Sequence, residues 1–149
     1  MTDVDQTPPF KSIMLPVDHQ DVFPEVVKFA ARAARLYETS LTLLFVLELP
    51  GHSEGAGFVA ETEAESAARI EKLVDDQIRP LLDGAVIDQV IIRSGKPAEV
   101  INSVADDLEI DVVIMGSTGK TGLSHMLTGT VTEKVVHRCN RPVMTYPIR

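Results

Sequence analysis

The run Leu41-Thr42-Leu43-Leu44-Phe45-Val46-Leu47 limits the fold of this chain more than any other stretch. It has one hydroxyl and no charge, so a strand built from it has no face for water and must be covered on both sides. Strands of this kind belong to parallel sheets flanked by helices, and the surrounding sequence supplies the helices. Phe10 to Val17 reads as an earlier strand, and between the two Phe23, Val26, Val27, Ala30, Ala34 and Tyr37 recur at helical spacing. That spacing predicts a helix over 22–37, with Asp21 as its N-cap and Pro24 in the first turn, where a missing N–H is tolerated.

The alternation continues. A longer helix is expected from about Val59 to Leu82, with Ala64, Ala67, Ala68, Ile70, Leu73, Val74 and Ile78 on its apolar face and Glu61, Glu63 and Glu65 favouring the dipole at its start. Val86 to Arg93 reads as strand three, and Ser94-Gly95-Lys96-Pro97 opens a short helix carried by Ala98, Val100, Ile101, Val104 and Ala105. Asp111 to Met115 is strand four, Val131 to Cys139 a last helix and Pro142 to Tyr146 strand five. Five strands with intervening helices predict an α/β fold, a doubly wound five-stranded parallel sheet with helices on both faces. Residues 10–149 are expected to form one domain behind a flexible N-terminal tail over 1–9, and the three glycines of 50–57 mark a surface loop.

Charge narrows the function. With 22 acidic against 14 basic residues the formal net charge is −8, which argues against nucleic acid or an anionic membrane as partner, since both require clustered Lys and Arg. The acidity fits a protein of the cytoplasm, and the first nine residues lack the basic and apolar segments of a signal peptide. Cys139 is the only cysteine and has no internal disulfide partner; at the end of the last helix it reads as a small core residue.

Gly116-Ser117-Thr118-Gly119, nine residues and then Gly129-Thr130 join strand four to the last helix. Glycine lets backbone approach a ligand closely, and the first N–H groups of a helix carry the positive end of its dipole with no internal partner. Thr130-Val131-Thr132-Glu133 has the form of a capping box, which sets the helix start at the second glycine. The junction therefore reads as an anion site, with the hydroxyls of Ser117, Thr118, Thr130 and Thr132 on either side. Gly119-Lys120-Thr121 is not a P-loop, because Ile114 stands where that motif needs its first glycine.

The spacing G-x-x-G-x9-G-[S/T] resembles the nucleotide-binding signature of the universal stress protein family. Ile13-Met14-Leu15-Pro16-Val17-Asp18 and Arg141-Pro142-Val143-Met144 are similar to its opening and closing strands, so the resemblance runs from about Lys11 to Pro147. It implies the strand order 3-2-1-4-5, Rossmann-like and similar to the adenine nucleotide alpha hydrolases, with ligand at the switch between strands one and four. By position in the motif, Gly116, Ser117, Thr118 and Gly119 resemble residues that contact ribose and phosphates, and Gly129, Thr130, Val131 and Thr132 resemble the phosphate cradle. The resemblance also implies ATP or a related adenine nucleotide as ligand, with Mg²⁺ as companion. Asp18 would accept hydrogen bonds from adenosine or hold Mg²⁺; an aspartate after a strand is also a common turn residue, and the resemblance favours the nucleotide role. Pro16 and Val17 would border the base, Val46 would offer backbone to the adenine edge, and Met115 is either a lining residue or core.

His19-Gln20 departs from the family's small pair after the aspartate, so His19 either contacts ligand or crowds the entrance. His52, His125 and His137 have neither metal-ligand spacing nor a carboxylate companion. A phosphoacceptor receiver domain shares this fold class but needs an aspartate after strand three, where the sequence reads Arg93-Ser94-Gly95. The function implied is a nucleotide-dependent stress regulator, with no catalytic residue assigned; the alternatives are a slow ATPase or autophosphorylating enzyme, and a partner-binding module without nucleotide. Homodimers are implied through the last strand, carried by Val143, Met144, Thr145 and Tyr146.

Overall fold

The computed structural model describes residues 10–48, 61–118 and 129–148. The expected tail over 1–9, the loop over 50–57, Gly119 and Lys120 lie outside them, as do His52 and His125. Five strands form one sheet: β1 (Ile13–Val17), β2 (Leu41–Leu47), β3 (Ile87–Ser94), β4 (Val112–Thr118) and β5 (Val143–Ile148). Their order is β3-β2-β1-β4-β5, and every neighbouring pair is parallel. This is the doubly wound α/β sheet expected from the alternation of patterns.

Among the described residues four α-helices cover it: α1 (Pro24–Leu36), α2 (Glu63–Leu73), α3 (Pro97–Asp107) and α4 (Gly129–Arg138). Because side chains alternate along a strand, each strand feeds two cores. Ile13, Leu15 and Val17 of β1 join Leu43 and Phe45 of β2 and the buried faces of α1 and α2. Met14, Leu44, Val46, Val113 and Met115 point the other way, against Ile101 of α3 and Val135 of α4. The all-apolar Leu41–Leu47 run is thus used on both sides.

Local chemistry moved several boundaries. Asp21 does not cap α1: Phe23 holds the N-cap position with no side-chain bond, while the Asp21 N–H donates to the Asp18 carbonyl at 3.2 Å. The helix expected from Val59 begins instead at Glu63, because Thr62 caps it and forms a reciprocal capping box with Glu65. Its alanines at 64, 67 and 68 are exposed, and the buried stripe is Ser66, Ile70, Leu73, Val74 and Ile78. The α-helical ladder stops at Leu73; a π-helical turn over Val74–Ile78 and a 3₁₀ turn over Arg79–Leu81 complete the segment. Pro80 has no N–H and crowds the carbonyl four residues back, which accounts for the change of winding.

The glycine motif shifted most. Gly116, Ser117 and Thr118 are not loop but the end of β4, paired with Tyr146, Pro147 and Ile148. Pro147 accordingly lies inside β5 instead of after it, as an edge strand allows. At the other edge, β3 carries an irregularity opposite Leu41 and Thr42, a common way to blunt an open edge.

Candidate functional site

The crevice forms where the sheet comes apart. β1 and β4 pair only at Ile13–Val112 and Met14–Val113, whereas β1 stays with β2 through Val17–Phe45 and β4 stays with β5 through Thr118–Ile148. Pro16 has no amide hydrogen to give, and the ladder with β4 ceases just before it. The carboxyl ends of the two central strands are left to diverge, at the point where the strand order reverses.

Asp18 follows directly and is buried, with 8% of its surface exposed. Its Oδ1 accepts the Gln20 N–H at 2.9 Å, so the turn-forming role weighed for this aspartate is realised. Together with Pro16, Val17 and Gly116 it borders a hollow of about 30 Å³, closed by Asp21 and Phe23 of the β1–α1 connection and by Val26 and Val27 of α1. That is space for about one water molecule. A larger ligand would lie across the open edge above it.

Gly116 has a packing reason to be glycine. A Cβ there would meet Ile148 Cδ1 at 2.5 Å and Val26 Cγ2 at 3.0 Å, so α1 and β5 close over β4 where a side chain would stand. Its carbonyl accepts a hydrogen bond from Thr132 Oγ1 at 3.0 Å, and the Thr132 side chain is buried. This bond ties the first turn of α4 to the end of β4. The helix starts at Gly129, as the motif predicts, with Thr130 inside its first turn rather than ahead of it. Val131 packs partly buried against the α3–α4 core.

Two expected contacts are deep in that same core. Val46 and Met115 are 1% and 3% exposed and touch neither the hollow nor its rim through their side chains. Asp18 and the Gly116–Thr132 link, about a hundred residues apart in sequence, are brought to one end of the sheet.

A cluster around His19, the residue after Asp18, was missed by sequence reasoning, apart from the open question over His19 itself. Arg69 of α2 holds Glu61 through two bonds, Nε to Oε1 at 2.8 Å and Nη2 to Oε2 at 2.9 Å, and its Nη1 lies 3.1 Å from His19 Nδ1. Ser66 Oγ also donates to Glu61, at 2.9 Å. These hydrogen bonds, that of Arg69 foremost, hold the Glu61 carboxyl down at about 2. Burial, then the Arg69 charge, lowers the pKa of His19 against the opposing pull of Asp18, Glu61 and Glu48. The signal available was Thr62-Glu63-Ala64-Glu65, a capping box that fixes the start of α2 and leaves Glu61 outside, free to fold back on Arg69.

Among the described residues no helix is long and apolar enough to cross a membrane, and no three His, Cys, Asp or Glu side chains gather as a metal site.

The family model for the universal stress proteins matches residues 9–147. Universal stress protein MJ0531 of Methanocaldococcus jannaschii is 27% identical over 144 residues, covering 91% of this chain and 81% of that protein. Universal stress protein MJ0577 of the same organism is 48% identical over 54 residues, 36% of this chain and 33% of that one. The solved structure of MJ0577 superposes with a TM-score of 0.61 at 28% identity, over 94% of this chain and 97% of the other. The universal stress protein of Archaeoglobus fulgidus solved in complex with dAMP has a TM-score of 0.60 at 25% identity, over 91% and 97% of the two chains. With the family model spanning nearly the whole sequence and the sheet order that the resemblance implied, this chain belongs to the universal stress protein family.

Proposed function

We propose that this protein is a cytoplasmic, nucleotide-dependent stress regulator that binds ATP or a related adenine nucleotide. The phosphates would lie over Gly116–Gly119 and the first turn of α4 at Gly129–Thr132. Asp18, Pro16 and Val17 would meet the nucleoside, with the backbone near Val46 at the adenine edge and Met115 supporting the site from below. The observation that carries this reading is the end of the β1–β4 ladder after two paired positions, which leaves an open edge between Asp18 and the Gly116–Thr132 link. The dAMP complex of the Archaeoglobus fulgidus relative supports an adenine nucleotide in particular.

Mg²⁺ fits this site as a companion of the nucleotide. The ion commonly takes one or two carboxylates and completes its shell with phosphate and water, and Asp18 is a carboxylate at the required end of the sheet. When bound it would neutralise phosphate charge. Thr132 spends its hydroxyl hydrogen on Gly116, so in the cradle it would act through its backbone N–H and leave donation to the other groups. Dimers would form along β5, whose Val143, Met144 and Tyr146 are half-buried and whose Thr145 is exposed at the sheet edge.

Thermal unfolding in the presence of ATP, ADP, AMP, cyclic AMP and GTP, with and without Mg²⁺, tests the reading. A ligand at a hundred times its dissociation constant adds about 2.7 kcal/mol of stability. For a chain of this size that raises Tm by about 5–10 °C. Gly129→Asp, which sets a carboxylate where phosphate would sit, should remove the shift. A folded variant that still responds to ATP would refute the phosphate site, and a light-scattering mass of one chain would refute the dimer.

A further inference from the structure

The His19–Arg69–Glu61 cluster is built with more care than a surface ion pair requires. Arg69 offers both edges of its guanidinium, one to the two oxygens of Glu61 and one to His19 Nδ1, and Ser66 fixes the carboxylate from behind. A guanidinium only donates, so Nδ1 must accept. His19 is therefore neutral, and its single hydrogen is on Nε2. The cluster thus presents one N–H donor of fixed tautomer on the residue next to Asp18, which borders the hollow.

The charges around that donor decide what it suits. The carboxylates of Asp18, Glu61 and Glu48 act on His19 by charge and Arg69 is the opposing cation, a formal balance of −2. With no cation on Asp18 such surroundings disfavour phosphate, and an uncharged hydrogen-bond acceptor suits the donor better. α2, which carries Arg69, also packs on the sheet face opposite to α4.

We propose that His19, locked by Arg69 and Glu61, donates from Nε2 to an acceptor atom of the nucleoside and so sets nucleoside affinity without touching the phosphates. His19 is the contacting residue; Arg69 and Glu61 are positioning residues that act through it. The inference rests on the nucleotide reading of the crevice above.

Calorimetry with adenosine, AMP and ATP on the wild type, His19→Ala, His19→Gln and Arg69→Met tests it. Loss of one such bond should weaken all three ligands in His19→Ala by a common factor of about 10. His19→Gln, which keeps a neutral donor, should stay within about threefold of wild type, and it serves in place of the alanine variant should that one fail to fold. Long-range proton–nitrogen NMR should find His19 protonated at Nε2 and bare at Nδ1 in wild type, with both tautomers present in Arg69→Met. Unchanged affinity in His19→Ala, a loss that grows with phosphate number, or a proton on Nδ1 in wild type would each overturn the contact alone. A wild-type protein that binds none of the three ligands would overturn the nucleotide reading and the contact with it.

Discussion

Thr132 donates its hydroxyl hydrogen to the carbonyl of Gly116, 16 residues earlier, and by this bond the last helix is fastened to the strand before it at the crevice edge. Thr132→Val keeps the shape and removes the donor. Leaving a buried carbonyl unpaired should cost about 1–3 kcal/mol. Thr132→Ser should recover most of that, and chemical denaturation of the three proteins checks both.

Gly116→Ala should destabilise by overpacking, by about 1–3 kcal/mol, since the new methyl would strike Ile148 and Val26. Ile148→Val removes the closest atom. The double variant should therefore lose less than the sum of the single ones, a coupling that a double-mutant cycle in denaturant measures.

Glu109 stands at φ 50 after α3, with its N–H on Asp106 and the Ile110 N–H on Ala105 at 2.9 Å. That is the left-handed closing turn glycine prefers, occupied by a residue that is strained there. Glu109→Gly should gain about 0.5–1 kcal/mol, the relief of strain outweighing the extra freedom of the unfolded chain. Tm should rise by about 1–4 °C, read by calorimetry.

Acid should weaken the anchor of α2. Glu61 titrates at about 2 in the fold against an ordinary 4.5, so between these values the unfolded chain binds more protons. The contribution of Glu61 is complete above about pH 4.5 and disappears as the pH falls through 2. Glu61→Gln should be less stable than wild type at neutral pH, and the gap should narrow across that window in denaturation curves taken at successive pH values.

Strand and helix order could be read from the chain because particular stretches permit one answer. Leu41–Leu47 has no polar face and was bounded to the residue, and Pro97 at the head of α3 marks its own start. The alanines of α2 misled, since a methyl suits water or core almost equally and the stripe was completed by Ser66 instead. Gly116 misled for the opposite reason: its loop-like character concealed a tight crossing of β4 by Val26 and Ile148, which come from remote segments. Asp18 and Gly116 were placed at the same end of the sheet by the strand order that the resemblance implied. The Arg69 cluster was not found, because its three members become neighbours only when α2 is set over the turn after β1.

With only two rungs joining β1 to β4, the sheet is like a book bound at one end of its spine, β3-β2-β1 forming one cover and β4-β5 the other, and the two shared cores hold the covers together. A molecule lodged in the gutter would stitch the unbound end. Such a molecule would supply the cross-strand contacts that the backbone ladder stops making after Met14–Val113.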